Sequence, residues 1–188
     1  MPRAKKLIPV SEDIIDELMK IAKRSGLSVT ELVDIILRNT VKVLHSRDDI
    51  DGFLIESLVR SDLARMGGVT IPLNVLSLGL SKLNDDEREN ALKTLESFAS
   101  LVVRMAIARG INGLNLVKLL LRAWLSQFNI EVLDREDYYQ ILVSGFQLAD
   151  DTTIQLVISI INGILKEVKA KDISFEHSPG LIITKFKL

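Results

Sequence analysis

The chain has 188 residues, of which 47% are hydrophobic and 26% charged, with a formal net charge of −1, a pI of about 6.2 and a mean hydropathy of +0.25. That length allows one domain or two small ones, and the hydrophobic share is enough for a sizeable core. The absence of cysteine excludes disulfides, thiolate zinc sites, iron–sulfur clusters and cysteine nucleophiles, and the expected setting is cytoplasmic.

The N-terminal stretch "MPRAKKLIPVSED" turns acidic too soon to be a signal peptide. Charge is unevenly spread. Met1–Arg47 holds nine Lys/Arg against six Asp/Glu, a net of +3, and the remainder holds fifteen against nineteen, a net of −4. A basic head on an acidic body is expected.

Lys5–Val10, "KKLIPV", reads as a short strand with Leu7, Ile8 and Val10 apolar. Ser11 is a candidate N-cap, with Glu12 and Asp13 in the first turn, where the helix dipole favours acids. Ile14, Ile15, Leu18, Ile21 and Ala22 recur at helical spacing, and Gly26 fits the left-handed position that closes a helix. "SVTE", Ser28–Glu31, has the pattern of a capping box, and a second helix is expected to run to about His45. The polar segment "HSRDDIDG" then suggests a boundary near Arg47, dividing the chain into 1–47 and 48–188.

The second part reads as helical first. A helix over Ile50–Met66 is broken at Gly67–Gly68, and Pro72 suits the first residue of the next. Met66–Ser81 is the longest uncharged stretch; at about 16 residues, with three glycines and a proline, it is too short to span a membrane and reads as core or interface. Asn84 or Asp85 caps a long helix ending at Gly110, and Asn112–Gly113 is a turn. Leu114–Phe128 is apolar nearly all round and is expected to be the central, buried helix, with Trp124 in the core.

The pattern then changes to strands at Ile130–Leu133 and Tyr138–Phe146, a helix at Thr152–Val168, and strands at Ile173–His177 and Leu181–Lys187. "DREDYY", Asp134–Tyr139, reads as the turn between the first two strands. Around Ser178–Gly180 a loop of three or more residues is expected, because Pro-Gly presets a turn whose twist suits a two-residue hairpin poorly. The second part is therefore an α+β domain: a helical layer, then β-β-α-β-β.

The strand at Lys5–Val10 has no good partner nearby, and about 45 residues with two helices bury little alone. Strand, helix, Gly-Leu-Ser turn and capped helix together, "LIPVSEDIIDELMKIAKRSGLSVTELVDIIL" (Leu7–Leu37), resemble the ribbon-helix-helix family of DNA-binding proteins. The resemblance covers the first quarter of the chain. It implies an intertwined homodimer, or a higher assembly, whose paired strands lie in the major groove of double-stranded DNA. Strand alternation then turns Ile8 and Val10 toward the helices and Lys5, Leu7 and Pro9 outward, with Arg3 and Lys6 on the adjoining basic arm. Leu7 and Pro9 depart from the family's usual polar residues and offer bases no hydrogen bond, which leaves shape and thymine methyls to read. The start of the second helix, Ser28, Val29 and Thr30, together with the Glu31 N–H, is by the same resemblance a backbone-phosphate site.

Elsewhere no phosphate loop, nucleophile elbow or metalloprotease motif occurs. His45 and His177 are 132 positions apart, and the acid groups Asp85/Asp86/Glu87 and Asp150/Asp151 open expected helices. No catalytic residue, metal site or cofactor is therefore expected. The expected function is a transcriptional regulator, more readily a repressor. The alternative is a partner-binding or antitoxin-type protein that uses the fold only to dimerise. For 48–188 a small-molecule effector, a protein partner and oligomerisation all remain open.

Overall fold

The computed structural model describes residues 8–45, 50–68, 71–145, 148 and 150–188, with the side chains of 50–55 left aside. The chain divides into two compact units, Met1–Ile50 and Asp51–Leu188. The boundary expected at Arg47 lies outside the described residues.

The first unit is a pair of helices, α1 (Glu12–Ser25) and α2 (Val29–Leu44). Gly26, at φ 67°, ends α1 in the left-handed conformation, and the Leu27 N–H reaches back to the Ala22 carbonyl at 3.0 Å. Two residues later α2 begins.

The second unit opens with α3 (Ile50–Arg65), α4 (Leu73–Ser81), α5 (Asp85–Ala108) and α6 (Gly113–Trp124). It continues with β1 (Asn129–Asp134), β2 (Tyr139–Ser144), α7 (Asp151–Glu167), β3 (Lys171–Ser178) and β4 (Leu181–Lys187). The strands form one antiparallel sheet in the order β1-β2-β4-β3. This is the helical region followed by β-β-α-β-β that the periodicities indicated. On one face of the sheet Ile141, Val143, Ile182, Thr184 and Phe186 are buried, and they join the helices in a single core.

Four details differ from expectation. The central helix is α7, which buries nine residues, whereas α6 buries five and keeps Asn115 and Arg122 exposed. α7 packs along α5 on one side and serves the sheet on the other, so its apolar residues are covered all round. Second, α6 stops at Trp124 rather than Phe128, because the Phe128 N–H turns back to the Leu125 carbonyl at 2.9 Å and leads into β1. Third, the β3–β4 loop has only two residues, Pro179 and Gly180, with Ser178 paired to Leu181. Bonds outside the hairpin hold it: the Gly180 N–H donates to the Leu148 carbonyl at 2.9 Å, and the Gly145 N–H donates to the Gly180 carbonyl at 3.1 Å. Fourth, Pro72 precedes α4 as its N-cap instead of beginning it. β2 spans Tyr139–Ser144; Phe146, where it was expected to end, lies outside the described residues.

Candidate nucleic-acid interface

Ser11 occupies the N-cap of α1, but its hydroxyl takes no backbone N–H. It bonds the Asp13 carboxylate, which this contact and then the Ile14 N–H hold below the ordinary carboxylate range. Lys23 and Arg24 fill the last turn of α1, next to its exposed carbonyls.

The start of α2 is built more tightly. The Glu31 N–H donates to Ser28 Oγ at 3.2 Å, the Ser28 N–H donates to Glu31 Oε2 at 2.9 Å, and the Ser28 hydroxyl donates to the same oxygen at 2.7 Å. The Ser28 hydroxyl, and after it the Ser28 backbone, hold the Glu31 carboxyl below its ordinary value. The reciprocal box corrects the expectation for Glu31: its N–H is already engaged, and its carboxylate stands beside the helix start. Val29 and Thr30 remain, as first and second helical residues whose N–H groups have no intrahelical acceptor. Ser28 and Thr30 are exposed and Val29 is half-buried.

Arg3, Lys5, Lys6 and Leu7 lie outside the described residues. Pro9 is exposed, and Ile8–Val10, expected as the end of the strand, are in no strand and form no ladder among the described residues. Ile8 and Val10, expected to face the helices, are 69% and 49% exposed, so they are not covered by the helices of their own chain. The same holds along the helices. α1 and α2 bury only Ala22 and Leu32. Ile14, Met19 and Ile21 on α1, and Ile35, Ile36, Leu37, Val41 and Leu44 on α2, are all exposed. On the polar side, Lys20 pairs with Glu17 at 2.7 Å and Arg38 with Asp34 at 2.6 Å.

No family model matches the chain, and no curated protein is similar to it. Among the described residues no group of acids and histidines could hold a metal ion, and no helix is long and apolar enough to cross a membrane.

Proposed function

We propose that the chain is a dimeric DNA-binding transcriptional regulator, with Met1–Ile50 as an intertwined ribbon-helix-helix unit and Lys5–Val10 as the strand exchanged between copies. The observation that carries this reading is the imbalance of the first unit: ten large apolar side chains from Ile8 to Leu44 are exposed, against Ala22 and Leu32 buried. A two-helix unit in that state leaves a large part of its apolar surface in water, and covering it is worth about 25 cal/mol for each Å². A second copy covers both helices at once and supplies an antiparallel partner for the strand.

DNA is the ligand that the remaining features favour. The basic excess lies in Met1–Arg47, with Arg3, Lys5 and Lys6 beside the strand. The Val29 and Thr30 N–H groups at the start of α2 suit a backbone phosphate. Leu7 and Pro9 contribute contact without hydrogen bonds, so discrimination between sequences is modest and rests on DNA shape.

Ser28 separates a cap from a phosphate contact. Asp and Asn both cap helices well, but Asp adds a negative charge where the phosphate sits. In the full chain, Ser28→Asn should leave both melting temperature and DNA affinity near wild type. Ser28→Asp, which sets a second carboxylate against Glu31, should lower the melting temperature slightly and, well below that temperature, weaken binding to duplex DNA at least tenfold in an electrophoretic shift assay. Equal affinity for both variants would remove the start of α2 from the interface. Sedimentation of the wild-type chain should show a dimer or a multiple of it.

A further inference from the structure

The helical layer of the second unit contains a cavity of about 680 Å³. It lies between the end of α3, the start of α4, and α5, α6 and α7. Its walls are apolar: Leu63, Leu76, Leu95 and Leu156, with Phe98 and Trp124 stacked on each other at 6.2 Å between centroids and 25° between planes. Among the described lining residues Arg60 is the one charged, and its guanidinium is held by Glu56 at 2.9 Å, so its charge is matched. The other polar groups of the wall are neutral: the Asn74 amide, whose oxygen already accepts the Val75 N–H at 3.0 Å, the Ser126 hydroxyl and the Gln127 amide. These three are exposed residues.

The pocket is half open to solvent, so apolar side chains at its floor face water rather than partner atoms. Here leucines and a stacked aromatic pair line a space within the range of small-molecule sites, roughly 300–1,000 Å³. We infer that this cavity is a binding site for an uncharged, largely apolar small molecule carrying a hydrogen-bonding group. Apolar walls give the affinity, the amides and hydroxyl orient the polar end, and the Arg60–Glu56 pair leaves no free charge for an ionic ligand to neutralise. The inference does not depend on the DNA reading.

Trp124 is the single tryptophan of the chain, so its emission reports this cavity alone. The probe is the neutral dye N-phenyl-1-naphthylamine, titrated into the full chain, with the anionic 1-anilinonaphthalene-8-sulfonate as comparison. The neutral dye should bind saturably, quench Trp124 by energy transfer, and bind at least fivefold more tightly than the sulfonate. Leu76→Phe, which fills the space, should weaken the neutral dye at least tenfold while circular dichroism stays unchanged. If that variant does not fold, Leu63→Phe on α3 serves the same purpose. Absence of saturable quenching of Trp124, affinity unchanged in a folded filled variant, or preference for the sulfonate would each overturn the assignment.

Discussion

Thr184 places a hydroxyl in the fully buried face of β4, and among the described residues its Oγ1 has no hydrogen-bond partner. Burying such a group without a partner costs about 1–3 kcal/mol. Valine has nearly the same shape without that group, so Thr184→Val should raise stability by about 1 kcal/mol in urea unfolding; a loss of stability would mean the hydroxyl is satisfied in solution. Asp150 shows the opposite case. Burial alone would raise its carboxyl, but hydrogen bonds from the Thr153 hydroxyl and N–H, the Ser77 hydroxyl and the Thr152 backbone outweigh it and hold the group below the ordinary carboxylate value. A lowered folded-state pKa adds stability above the unfolded value, about 3.9, and that stability is lost as pH falls through the folded value. Asp150→Ala should therefore cost about 1 kcal/mol at pH 7 through the lost cap of α7, and the gap to wild type should narrow below about pH 4. A gap independent of pH would show that the charge of Asp150 is not what α7 uses.

Among the described elements, α5 and α7 share the most extensive helix–helix contact. Gly163 of α7 has no room for a side chain: a Cβ there would overlap the Glu96 carbonyl oxygen and come within 2.8 Å of Ala99 Cβ. Around it the Ser100 hydroxyl donates to the Gly163 carbonyl at 3.0 Å, and Glu96 accepts from the Asn162 amide at 2.9 Å and from Lys166 at 2.6 Å. Alanine favours a helix over glycine by up to about 1 kcal/mol, but parting two packed helices costs more. Gly163→Ala should destabilise the chain by about 1–3 kcal/mol, read as a lower melting temperature. A neutral or stabilising result would mean the helices are farther apart than described.

The same elements show what a sequence reveals about itself. Ser28 with Glu31 is a box written within four residues, and it is present; of the two expected caps of α5 it is Asn84 that serves, and it forms a second box with Glu87 that was not foreseen. Gly26 and Asp150 likewise act inside one turn, and both mark helix ends where the pattern put them. Features that depend on distant residues were not legible. Nothing within Ser178–Leu181 reveals that Leu148 and Gly145 would hold a two-residue turn in place. Apolar content ranked Leu114–Phe128 as the central helix, yet centrality belongs to α7, because the sheet and α5 enclose it. The cavity joins residues of five helices and has no signature in any one of them. At the candidate interface the capped turn was legible, whereas the expected strand is not seen at Ile8–Val10, the part of it that lies among the described residues.

For the whole molecule we propose a division of labour: the first unit, with its basic excess in Met1–Arg47, dimerises and binds DNA, and the second unit takes a small apolar ligand. The central claim concerns Arg3, Lys5 and Lys6, which in two copies bring six cations to the duplex. Six phosphate contacts give a log–log salt slope of about −5, and the two left after Lys5→Ala with Lys6→Ala give about −2. The most direct test is the salt dependence of duplex binding by the full chain and by this double variant. The account predicts weaker binding to every sequence and a slope flattened toward about −2. Unchanged affinity and slope would contradict it, and the first unit would then be a dimerisation fold with no part in holding DNA.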